Sequence, residues 1–254
     1  MPIALASAVA VAVAVAAVVG ALAGCCLPLL IYRLGTDQPR ADRRIAAHAA
    51  GCDHPVPAGI RGWLRLGSGC PYCGRRLGPT TTATAVASAA TSAILMLRFL
   101  HSPALPILLA SGLMAVTAAF VDLRCHRLPD RVVLPAAALG ALTIITVGFT
   151  DGDQHRTVRA LVSCFAVGVV LLLLAVGTQA IGLGDVKATA WVAMLAGWHS
   201  PTAVLIAAVG PFLLQAPIAL GLLAAKRVNR RSTLPFGPAI LLAGLASLTL
   251  TSIG

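Results

Sequence analysis

The chain has 254 residues, of which 58% are hydrophobic and only 11% charged, with a formal net charge of +11 and a mean hydropathy of +0.91. Soluble domains run nearer 45–50% apolar, and so few charges cannot cover a water-exposed surface, which excludes an ordinary soluble domain. The basic excess does not point to nucleic acid either, because Lys and Arg fall between long apolar runs instead of clustering on one face with aromatic residues.

A helix crossing about 30 Å of hydrocarbon needs roughly 20 apolar residues. The first such run covers residues 3–32. It contains Leu22-Ala23-Gly24-Cys25, which resembles a lipoprotein cleavage box, but no Lys or Arg precedes Arg33 and the apolar run continues past the cysteine. A signal peptide opens with a basic region, so the segment reads as a span. The Ala/Val alternation within residues 8–17 is not a strand, because lipid admits only helices and closed barrels. A loop rich in Gly, Pro and Arg follows over residues 33–79. It is too small to bury a core of its own and needs a metal or the helical bundle to order it.

Further apolar runs cover residues 82–100, 104–122, 132–149, 158–181, 201–225 and 234–253. Residues 186–198 form a shorter one, which spans only if 182–185 are embedded with it. The expected fold is all-α, a polytopic transmembrane bundle of about eight spans with one cytoplasmic loop subdomain. Its parts are a first helix over 1–32, the loop over 33–81 and a membrane domain over 82–254.

Basic residues gather on the cytoplasmic side of membrane proteins. An outside N-terminus puts eight Lys and Arg of Arg33–Arg76, three of Arg124–Arg131, Lys187, and four of Lys226–Arg231 on that side. Only Arg98, Arg156 and Arg159 then lie elsewhere. The pattern predicts a multi-pass plasma-membrane protein with both termini outside.

All eight acidic residues are Asp. Asp37, Asp42 and Asp53 fall in the long loop, Asp151 and Asp153 read as solvated turn residues, and Asp130 follows Pro129 in a short cytoplasmic loop. Asp122 and Asp185 remain, both at cytoplasmic ends of spans. Acids at membrane depth are costly and are retained where they pair, line a wet cavity or do chemistry. Two neighbouring carboxyls cannot both ionise cheaply, so one holds a proton while the other is charged, and their titration belongs to the pair. The charged one can take a proton from an attacking water while the neutral one donates a hydrogen bond to a peptide carbonyl. Gly182-Leu183-Gly184-Asp185 adds a permissive backbone with no side-chain bulk beside the acid, as close approach of an unwound substrate requires. The plainer alternatives are an interfacial residue capping the loop after Asp122, a helix N-cap at Asp185, and Lys187 as a topological anchor instead of a modulator of Asp185.

At these residues the chain resembles the type IV prepilin leader peptidases. Gly20, Gly24 and Ile31-Tyr32-Arg33-Leu34 resemble the family's first span; Val121-Asp122-Leu123 with Leu128-Pro129-Asp130 resembles the first acidic motif and its sequel. Gly182-Leu183-Gly184-Asp185-Val186-Lys187 is similar to the second, and Pro235-Phe236-Gly237-Pro238 to the opening of the last helix. The resemblance implies Asp122 and Asp185 as the catalytic pair, Gly182, Gly184 and Lys187 beside the substrate backbone, and Pro129, Asp130, Pro235 and Gly237 as structural positions. It implies cleavage of the basic leader from prepilin or pseudopilin precursors at the cytoplasmic face, with no cofactor required for proteolysis.

The resemblance also implies a zinc site in the loop, for which Cys52, Cys70 and Cys73 remain, with His48 and His54 near Cys52. The family's first Cys pair is reduced here to Cys52 alone. S-adenosylmethionine is implied only if N-methylation of the new terminus is retained. Two alternatives of other classes stay open: a small transporter using the two aspartates as a proton or cation relay, and a non-catalytic scaffold of a secretion or pilus machine.

Overall fold

The structure is a computed structural model that describes residues 2–36, 68–70, 72–126, 128–178, 181–227 and 234–251. These residues form eight α-helices and no strand. Six of the helices are long and apolar enough to cross a membrane, so the chain is a multi-pass helical membrane protein. It divides into two compact units, Met1–Cys125 and His126–Gly254.

The first unit holds α1 (Pro2–Thr36), α2 (Thr81–Phe99) and α3 (Leu105–Cys125). Gly20 and Gly24 lie one turn apart on α1, against a row of small residues on α2. A Cβ at Gly24 would meet the Thr84 carbonyl oxygen at 2.6 Å and Ala85 Cα at 2.7 Å, and one at Gly20 would meet Ser92 Oγ at 2.5 Å. Lipid tails give no hydrophobic drive for helices to associate, so close backbone contact between small residues supplies the attraction instead. Gly112 seats α3 on α2 in the same way, against Thr91 and Leu95.

The segment before α2 folds as a tight knuckle. Cys70 N donates to Arg75 O at 2.7 Å, Gly74 N to Cys70 O at 3.0 Å, and Leu77 N to Ser68 O at 2.7 Å. Gly74 takes φ +70°, a conformation that costs glycine little. Cys70 and Leu77 are buried with Leu29 and Tyr32 of α1, so the knuckle rests on the Ile31–Leu34 end of the first helix.

The second unit holds α4 (Asp130–Thr150), α5 (Gln154–Thr178), α6 (Leu183–His199), α7 (Pro201–Ala224) and α8 (Gly237–Thr249). Helix α6 is its centre and packs against the other four. Ten of its seventeen residues are buried, against three each in α5 and α7. That explains why the sequence gives it a short apolar run. A helix buried mainly by protein need not match the lipid thickness.

Helix α6 begins at Leu183, three residues before the run expected from hydropathy, and so absorbs Gly184 and Asp185 into its first turn. Helix α8 is shorter than the expected 234–253 run, starting at Gly237 with Pro238 in its opening turn and ending at Thr249.

Candidate active site

Asp122 lies in the last turn of α3 and is only 3% exposed. The alternative of a loop cap does not suit that position. Helix C-termini favour cations over acids, and the side chain is almost wholly buried where an interfacial residue would be exposed. Its neighbours Val116, Thr117, Ala118, Ala119 and Val121 are also buried. Thr117 donates its hydroxyl to Leu113 O at 2.8 Å, which removes it as a competing polar group within the helix.

Two residues beyond Asp122, the Arg124 guanidinium forks onto two backbone carbonyls, Leu77 O at 2.9 Å and Gly78 O at 2.8 Å. A Cβ at Gly78 would clash with the Pro28 carbonyl oxygen of α1. Arg124, counted in the sequence only as a topological charge, therefore ties the Asp122 end of α3 to the knuckle and, through Gly78, to α1. No feature of the sequence spacing reveals that fork, because its partners are carbonyl oxygens 46 and 47 residues away.

Asp185 is half-buried in the first turn of α6. The N-cap is Gly182 in extended conformation, φ −71° and ψ 144°, so the expectation that Asp185 itself caps the helix is corrected: it is the third helical residue. An acid in the first turn sits favourably at the positive end of the helix dipole. Its carboxylate folds back over Gly182, and a Cβ there would stand 3.1 Å from Asp185 Oδ2. The first glycine of the motif thus leaves the space that the acid occupies.

The second glycine serves a different contact. A Cβ at Gly184 would lie 3.0 Å from Leu128 Cβ and 3.3 Å from Leu128 O. Leu128 is buried and followed by Pro129, the N-cap of α4, and Asp130, its first residue. Asp130 accepts a bidentate ion pair from Lys187, with Nζ at 2.8 Å from Oδ1 and 2.9 Å from Oδ2. The Leu128-Pro129-Asp130 sequel and the Gly182–Lys187 motif are therefore clasped together. The sequence marks both segments but not their contact, since each charge alone reads as a loop residue.

The Pro235–Pro238 motif reaches the same neighbourhood through aromatic packing. The Phe236 ring meets that of Phe212 of α7 in a tilted contact at 5.0 Å and 54°, and Phe212 packs on the cluster of Val186, Leu171 and Ala175. Gly237 is buried as the first residue of α8, and Pro235 precedes it in the lead-in. At the other end of α6, Arg159 donates from Nε to Gly197 O at 2.7 Å and from Nη2 to Trp198 O at 3.2 Å. An arginine near a helix C-terminus satisfies carbonyls that the helix leaves unpaired.

Of the expected zinc set, Cys52 lies outside the described residues, as do His48 and His54. Cys70 is buried and Cys73 exposed. Among the described residues no group of three or more His, Cys, Asp or Glu could hold a metal ion.

A model of the type IV leader peptidase family matches residues 107–220, a stretch that runs from α3 into α7 and contains both acids with their flanking motifs. A prepilin leader peptidase/N-methyltransferase of Burkholderia pseudomallei (strain 1026b) is 30% identical over 89% of this chain and 72% of its own length. Proteins of the same name from Stutzerimonas stutzeri and Pseudomonas putida are 27% and 26% identical, over 87% and 89% of this chain and 82% and 86% of theirs. No solved structure matches. The relatives' alignments cover 87–89% of the chain, well beyond the family-model match, and with them the chain belongs to the type IV leader peptidase family.

Proposed function

We propose that this chain is an aspartic endopeptidase that removes the basic leader from prepilin or pseudopilin precursors at the cytoplasmic face of the plasma membrane, with Asp122 and Asp185 as its two carboxyls. The observation that carries the reading is the treatment of the two acids. One is 3% exposed at a helix end that disfavours an anion, and the other is given room by a glycine placed against its carboxylate. Helix capping does not explain the burial of Asp122.

The chemistry needs one ionised and one protonated carboxyl. The ionised group takes a proton from a water as the water oxygen bonds to the scissile carbonyl carbon. The protonated group donates a hydrogen bond to the carbonyl oxygen. The tetrahedral adduct then collapses, the C–N bond breaks, and a carboxyl returns a proton to the departing amine. The bond cut is the one after a Gly and before a hydrophobic helix-forming segment, the junction that the family resemblance implies. Both termini lie outside in this arrangement, which keeps the clustered Lys and Arg with the acids on the cytoplasmic side.

The test is to incubate the purified protein in lipid with a prepilin and sequence the new N-terminus. A product starting immediately after the junction Gly supports the reading; aspartate-dependent proton or cation flux in liposomes without cleavage replaces it with transport. The relatives are also named as N-methyltransferases. For this chain that second activity would need S-adenosylmethionine, and it predicts a gain of one methyl mass on the mature N-terminus when that compound is added.

A further inference from the structure

We propose that Lys187 and Asp130 form a clasp that sets the position of the Asp185 turn, acting as positioning residues for peptide cleavage; this rests on Asp185 being one of the two catalytic carboxyls. The pair joins residues 57 apart in the chain, with both carboxylate oxygens engaged at 2.8 and 2.9 Å. Its side chains are 41% and 55% exposed. Exposed pairs of this kind add little stability, so folding energy does not account for it.

Its location gives it a role. Gly184, immediately before Asp185, is pressed on Leu128, and Lys187, two residues after, is held by Asp130. The first turn of α6 is thereby fixed on both flanks of the acid to one short segment, Leu128-Pro129-Asp130. Pro129 stiffens that segment, since its ring fixes φ, here −73°. An acid that must meet a peptide bond within a few tenths of an ångström needs such a mount.

Lys187 could instead act directly, as a charge on Asp185 or a contact to substrate. A charge exchange separates the two roles. Asp130→Lys combined with Lys187→Asp rebuilds the clasp with its poles reversed and leaves the net charge of the cytoplasmic side unchanged, while moving the cation to α4. The measurement is prepilin cleavage in lipid, with kcat and KM determined separately and a melting curve for each variant.

Lys187→Met and Asp130→Asn are each expected to lower kcat about tenfold or more, with KM within about threefold of the parent and an unchanged melting transition. The exchanged double variant is expected to recover kcat to within about threefold. A double variant no better than Lys187→Met, single variants with parental kcat, or single variants that no longer fold would each overturn the clasp. Asp185→Asn runs beside them. If it still cleaves, the underlying two-carboxyl reading fails; if it is inactive while Lys187→Met is fully active, the clasp alone fails.

Discussion

Gly184 has no side chain at the point where Leu128 lies against it: a Cβ there would stand 3.0 Å from Leu128 Cβ and 3.3 Å from its carbonyl oxygen. Gly184→Ala therefore sets two effects in opposition. Alanine in a helix gains about 0.5–1 kcal/mol over glycine, while crowding a packed contact costs about 1–3 kcal/mol. The net loss should be about 0–2.5 kcal/mol, a modest drop in melting temperature, and the α6 start must shift by tenths of an ångström. Cleavage should fall about tenfold, measured as initial rate against the melting temperature of the same preparation.

Gly182→Ala acts on the acid itself. The added methyl group would press on Asp185 Oδ2 from 3.1 Å and turn the carboxylate out of its fold over the helix start. An N-cap glycine replaced by alanine costs only some tenths of a kcal/mol to about 1 kcal/mol. A variant that melts near the parent yet cleaves at least about tenfold more slowly is expected; parental rates would show that the fold-back of Asp185 has no part in catalysis.

Gly24→Leu tests the first unit. Its side chain would meet the α2 backbone at Thr84 and Ala85, which cannot move as a flexible side chain can. A loss of about 3 kcal/mol is expected, seen as a lowered melting temperature and less monodisperse protein on size-exclusion chromatography. Gly221→Ala, with nothing within 4 Å of its added Cβ, is the control and should melt at or slightly above the parent.

Arg159→Met removes the donors from Gly197 O and Trp198 O, leaving carbonyls at the buried end of α6 unpaired. The expected cost is about 2 kcal/mol. Arg159→Lys should recover less than half, because an ammonium cannot reproduce the planar fork. Cleavage at a permissive temperature should stay near parental, since the change lies about 20 Å along α6 from its first turn.

The helical architecture was legible because lipid imposes a length and a composition on every span. Seven runs were recognisable from hydropathy alone. Helix α6 was the exception, and its short run was informative once its surroundings were known: Val192, Ala193, Met194 and Ala196 are buried by protein. Its start at Leu183 was hidden because Gly182 and Gly184 read as irregular backbone, whereas Gly182 is an extended N-cap and Gly184 is helical.

For the candidate site, composition isolated Asp122 and Asp185, since an acid is rare enough in such a chain to stand out. Partners were not legible. Lys187 with Asp130, Arg124 with the Leu77 and Gly78 carbonyls, and Gly184 with Leu128 each join residues 46 to 57 apart in the chain. Helical spacing predicts neighbours only within a turn or two, so contacts of this range are fixed by packing between helices.

The most direct measurement replaces each acid singly by its uncharged isostere. Asp122→Asn and Asp185→Asn, each assayed on a prepilin in lipid membranes alongside a melting curve, remove one proton-handling group while preserving shape. Two-carboxyl chemistry predicts folded protein and a loss of cleavage of at least about 10³-fold in both variants. Cleavage retained by either one, in a variant that melts like the parent, would contradict it.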